Sequence, residues 1–168
     1  EFGKCKMGLK FLHLHLHGLI RSKSLELGRD SDTGGQTQYV LELVKGLANT
    51  FEVDQVDLVT RLIKDNKIDN SYSKEKEFIV PGAQILRFQF GPNKYLRKEL
   101  LWPYLDELTQ NLLRYYKKYE NKPNFIHAHY ADAGYVGVRL SQILKVPFVF
   151  TGHSLGREKK RKLLEAGL

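Results

Sequence analysis

Three observations predict an α/β chain built on a mostly parallel sheet with helices on both faces. Short apolar runs of strand length alternate with longer segments of helical periodicity. The late strands read as continuous apolar runs rather than strict alternation, as expected of strands covered on both sides. Four polar or glycine-bearing stretches fall at expected strand ends, where such sheets place their ligands.

In chain order, residues 9–16 alternate as a first strand, with Leu12, Leu14 and Leu16 on one face and His13, His15 and His17 on the other. A long polar connection follows from Leu19 to Thr33, and a helix is expected behind it from Thr37, capped by Asp32 or Thr33. Val40, Leu43, Val44 and Leu47 supply its apolar stripe. Residues 56–61 predict a second strand, 64–76 a hydrophilic outer segment, and 85–90 a third strand ending at Gly91-Pro92-Asn93. A long helix is expected from Leu100 to Tyr119, with Pro103 tolerable near its first turn. Residues 125–129 predict a fourth strand, 134–144 a helix and 146–151 a fifth strand. This order describes a Rossmann-like, doubly wound domain.

The 168 residues suffice for one domain, and residues 1–7 are set aside as an extraneous or disordered start, leaving 8–168 as the domain. With 42% apolar and 27% charged residues and no apolar run near the roughly 18 needed to span a bilayer, no membrane association is expected. The lone Cys5 removes the usual sign of an oxidising compartment, which points to the cytoplasm. The net charge of +8 fits a phosphorylated small molecule better than nucleic acid, because Lys and Arg are dispersed until the run Arg157–Lys162.

The candidate chemistry lies at the strand ends. Gly34-Gly35-Gln36 combines two glycines with a helix start, which lets a backbone approach an anion, yet it has neither the dinucleotide nor the ATP phosphate-loop spacing. Lys94 and Lys98 are cations behind the third strand. His153, followed by Ser154, Arg157 and Lys159 around an expected helix start, reads as a phosphate cradle. Ser154, His153 and Asp132 contain the residue types of a hydrolase triad without the G-x-S-x-G elbow, and Asp30, Asp32 and Asp132 are glycosidase candidates by type alone. Imidazoles spaced by two along one strand stand about 7 Å apart, too far for one ion, so no metal site is expected from His13, His15 and His17.

Four separated stretches carry a family resemblance: Leu16-His17-Gly18-Leu19-Ile20-Arg21, Leu27-Gly28-Arg29-Asp30-Ser31-Asp32-Thr33-Gly34-Gly35-Gln36, His129-Tyr130-Ala131-Asp132-Ala133-Gly134 and Phe150-Thr151-Gly152-His153-Ser154-Leu155-Gly156. Together they resemble the amino-terminal half of the sucrose-phosphate synthases, retaining glycosyltransferases of the two-Rossmann-domain (GT-B) class. The resemblance implies transfer of glucose from UDP-glucose to fructose 6-phosphate, giving sucrose 6-phosphate, with UDP-glucose as co-substrate and no tightly bound cofactor. It also implies Gly34 and Gln36 as acceptor-sugar contacts, Lys98, Tyr130, Ser154 and Lys159 around the acceptor's sugar and phosphate, His153 as the catalytic histidine beside the transferred glucose, and Gly35 near the donor diphosphate. The second domain, which would grip the donor, is absent from this sequence, so the chain is expected to be the acceptor half with little or no activity alone. Self-association through the face left bare is a further expectation. The alternatives are sucrose synthase, another retaining glycosyltransferase, or a non-catalytic sugar-phosphate-binding module.

Overall fold

A computed structural model describes residues 8–154 together with residues 161 and 165. Six strands form one sheet: β1 (Leu9–Leu14), β2 (Val53–Arg61), β3 (Lys76–Val80), β4 (Ala83–Phe88), β5 (Phe125–His129) and β6 (Phe148–Thr151), in the order β3-β4-β2-β1-β5-β6. Every neighbouring pair is parallel except β3 and β4, which form an antiparallel hairpin at one edge. The expected Rossmann-like architecture is therefore present.

Odd and even positions divide the two cores. Leu12, Leu14, Val59, Leu86, Ile126 and Ala128 point to the side covered by α2 (Leu105–Tyr119) and α3 (Tyr130–Leu144). Val56, Leu58 and Ile85 point the other way, against Val40, Leu41 and Val44 of α1 (Gly35–Ala48). Thus Leu41, not Leu43, belongs to the buried stripe of α1, because that i, i+3, i+4, i+7 face starts at Thr37 and runs through Val40, Leu41 and Val44.

Four expectations need correcting. Among the described residues there is one strand more than the five expected: β3 begins at the last residue of the segment read as hydrophilic and continues through residues 77–80, where the sequence predicts no element. It lies at the sheet edge, where only Ile79 is buried and Phe78 stays exposed, so it has little of the apolar signal of an inner strand. The helix expected from Leu100 starts at Leu105, preceded by 3-10 turns at Lys98–Leu100 and Trp102–Tyr104. Pro103 lacks the amide that would continue the ladder, which favours those tighter turns. Conversely, α3 starts at Tyr130, directly after β5, so the expected loop is its first turn. Finally, neither Asp32 nor Thr33 caps α1: Gly34 is the cap residue, without a side-chain bond, and Thr33 Oγ1 instead accepts the Leu19 amide at 3.1 Å.

The chain runs outward from β1 through β2 to the edge strand β3, turns back as β4 between β3 and β2, then crosses to lay β5 on the other side of β1. The order reverses between β1 and β5, and the crevice above the carboxyl ends of these two strands is the switch point where open α/β sheets bind ligands.

Candidate functional site

Beyond β1 the chain reaches His17, which is buried, and turns sharply at Gly18 (φ +75°). A Cβ at Gly18 would stand 2.2 Å from the Asp32 carbonyl oxygen, so glycine is required where the long Leu19–Thr33 connection folds back over the strand. That connection is ordered internally: Asp30 Oδ1 accepts the amides of Asp32 and Thr33, each at 2.8 Å, and Arg29 donates to the Lys67 carbonyl at 2.9 Å. It delivers the start of α1 to the crevice.

A cleft of about 460 Å³ lies at this switch point, lined by His17, Ser31, Gly35, Gln36, Tyr39, Lys98, Tyr130, His153 and Ser154. Six residues singled out from the sequence meet here: Gly35, Gln36, Lys98, Tyr130, His153 and Ser154. Gly34 adjoins them as the cap of α1, and Lys159 and the helix start expected around it lie outside the described residues. Lys94 does not line the cleft; its carbonyl accepts from Arg61 at 2.9 Å. A cleft of similar size, about 490 Å³, lies beside Asp54, Gln55 and Gly82, near the amino ends of β2 and β4 and away from the switch point.

The pocket is built to receive negative charge. None of its described lining residues is a carboxylate. The amino end of α1 has no side-chain cap, and a Cβ at Gly35 would meet no protein atom within 4 Å, so that space is open to a ligand close to the helix amides. Ser154 Oγ donates to the Tyr130 hydroxyl at 3.1 Å, joining two polar tips on one wall. Tyr39 meets the His153 ring edge-on, at 5.5 Å between centroids. Tyr130 (φ +77°) and His153 (φ +54°) both hold left-handed backbone, a local cost of about 1–3 kcal/mol each that the surrounding structure must offset.

Carboxylates beneath the rim are already committed. Asp132 Oδ2 lies 2.8 Å from His17 Nδ1, both groups buried. Asp32 accepts the backbone amide of Lys98 at 2.8 Å and also its ammonium. Burial works against the Asp32 charge, but the hydrogen bonds from Lys98 outweigh it and hold the carboxyl below its usual range. Burial likewise opposes the Lys98 charge, and the Asp32 bond raises its pKa nonetheless. The triad and glycosidase readings both fail on this geometry: Ser154 bonds to Tyr130 rather than to a histidine, and Asp30, Asp32 and Asp132 serve the loop, Lys98 and His17.

All six histidines gather at this end of the sheet, which alternation along β1 could not show for those of β5 and the β6 end. His129 Nε2 stands 3.0 Å from His13 Nδ1, and His129 Nδ1 stands 3.2 Å from His153 Nε2. Burial lowers the His153 pKa, helped by nearby His17, so His153 favours its neutral form. Burial, then neighbouring histidines, lowers His129 to about 2. Sequence reasoning missed His17, Ser31 and Tyr39 as lining residues; Tyr39 belongs to an exposed helical position whose role depends on where the β6 end arrives.

Residues 34–167 match the Glycosyl transferase 4-like domain. The chain belongs to this family. The domain is 42% identical over 181 residues to the sucrose-phosphate synthase of Spinacia oleracea and 41% identical over 181 residues to sucrose-phosphate synthase 1 of Arabidopsis thaliana, in each case over 92% of this chain and 17% of the relative. It therefore spans about a sixth of the length of these relatives. Among solved structures it is similar to the sucrose-phosphate synthase of Thermosynechococcus elongatus, with a TM-score of 0.74 and 28% identity, covering 91% of this chain and 35% of that one. No helix among the described residues is long and apolar enough to cross a membrane.

Proposed function

We propose that this domain is the acceptor-binding half of a retaining glycosyltransferase of the sucrose-phosphate synthase type, taking fructose 6-phosphate as acceptor and UDP-glucose as donor. The observation that carries this reading is the convergence of Gly35, Gln36, Lys98, Tyr130, His153 and Ser154, from four separate parts of the chain, on one cleft without a carboxylate. The named relatives support the substrate class. In this reading Lys98 and Ser154, with Lys159, hold the acceptor phosphate, Gln36 and Tyr130 the sugar, and Gly35 leaves room for the donor diphosphate.

Transfer breaks the bond between the anomeric carbon and the diphosphate oxygen, with the electron pair leaving on UDP. The acceptor hydroxyl forms the new bond from the same face, and its proton departs with the diphosphate. Positive character grows on the glucose ring and negative charge on the leaving group, so helix amides and a neutral, polar His153 suit the transition state. The donor is gripped in this reading by a second Rossmann-like domain of the GT-B architecture. Holding both reactants together supplies much of the rate, and the isolated domain is accordingly expected to bind acceptor while turning over little or nothing.

Calorimetric titration of the 168-residue chain tests this. Fructose 6-phosphate should bind and raise the thermal midpoint, whereas fructose should do neither. Equal response to both sugars, or steady sucrose 6-phosphate formation by this chain alone, would count against the reading.

A further inference from the structure

The histidines beneath the cleft point to a second site. The β1–β5 register places His13 directly opposite His127, and His129 follows two residues later on the same face. Thus three imidazoles from two adjacent strands meet where one strand could not assemble them. One ring nitrogen from each of His13, His127 and His129 lies within 4.8 Å of the other two. We propose that these three residues bind a first-row divalent transition ion that favours imidazole, Zn²⁺ being the expected occupant.

Four observations support an ion rather than a stack of inert rings. First, His13 Nδ1 and His129 Nε2 stand 3.0 Å apart, near the roughly 3.3 Å separating two nitrogens on a tetrahedral ion at about 2.0 Å. Second, two of the rings have outer partners of the kind that orient metal-bound histidines. His127 Nε2 lies 2.7 Å from Thr151 Oγ1 and can donate to it, which leaves Nδ1 as the free lone pair; His129 Nδ1 can donate to His153 Nε2 at 3.2 Å, which leaves Nε2. Third, His13 and His129 are fully buried, so packing holds their rings and water competes little for their ligating nitrogens. Fourth, His127 is half-buried, which gives an ion a way in from the rim.

The widest separation must shrink. Nitrogens at about 2.0 Å on a tetrahedral ion stand about 3.3 Å apart, so a pair separated by as much as 4.8 Å has to close by up to about 1.5 Å. That movement falls to small shifts of all three rings, His127 keeping its Thr151 partner, and three protein ligands leave the fourth position to water. The site departs from the sequence expectation of no metal, because the rings that complete it come from β5 rather than from His15 and His17. It is independent of the acceptor reading.

The test is titration of the chelator-stripped 168-residue chain with Zn²⁺, read by calorimetry and by the thermal midpoint. One ion per chain and a raised midpoint are expected. His127→Asn, at a half-buried position that tolerates an amide, should weaken binding at least about tenfold while far-UV circular dichroism stays native, and Thr151→Val should weaken it about tenfold to a hundredfold through the lost outer partner. His13→Leu should act like His127→Asn. Absence of saturable binding, or unchanged affinity and stoichiometry in His127→Asn, overturns the proposal, as does loss of binding in His15→Leu with His127→Asn unaffected.

Discussion

Asp32 holds Lys98 twice, accepting its backbone amide at 2.8 Å and its side-chain ammonium, and so joins the connection behind β1 to the turn that leads into α2. A ligand phosphate engaging Lys98 must share that ammonium with a buried carboxylate. The pair thereby sets both the shape of the cleft and the charge available in it.

Lys98→Met removes the cation without emptying the wall. It should weaken fructose 6-phosphate binding about tenfold, the equivalent of roughly 1.4 kcal/mol and within the range of one charge-assisted hydrogen bond, as read by calorimetry. An unchanged affinity would assign the phosphate to other groups.

The same pair makes a pH prediction. The Asp32 pKa is depressed in the fold, so its contribution is complete above the ordinary carboxylate pKa near about 3.9 and is lost as pH falls through the lower folded value. In urea titrations over that acid range, Asp32→Asn should show a flatter stability profile than the parent. A parallel displacement of the two curves would mean that Asp32 does not titrate differently on folding.

Gly18→Ala should destabilise the domain by about 2 kcal/mol or more, because it forces a Cβ to within 2.2 Å of the Asp32 carbonyl at a φ of +75°. Denaturant midpoints would show it directly. Failure to shift the midpoint would indicate that the connection can move away freely.

Gly35→Ala is the contrasting case. Its Cβ meets no protein atom, so the thermal midpoint should stay within a degree or so or rise slightly, as expected where alanine replaces glycine without strain. In a two-domain protein carrying this substitution, UDP-glucose consumption should fall at least about tenfold if, as proposed, the donor diphosphate takes the space that the added methyl enters. Full activity would remove Gly35 from the donor site.

Much of this was legible in the residues alone. Parity along Leu12, Leu14, Ile126 and Ala128 and the helical spacing of α2 follow from local geometry, which a sequence displays directly. Tyr130 was singled out by the family resemblance, whereas Gly35, His153 and Ser154, which line the cleft, were legible as candidates because special turns and polar groups at strand ends stand out from a packed core. The β3 edge strand was not, since an edge needs little apolar surface, and the late start of α2 depended on how the chain around Pro103 satisfied its amides.

What belongs to the sequence, then, is the alternation of strand and helix and the polar residues that end each strand, because both arise from interactions between neighbours in the chain. Tertiary structure alone decided that β5 returns beside β1. That pairing puts His13 against His127 and His17 against Asp132, at separations of more than a hundred residues, where no local periodicity can report which surfaces meet.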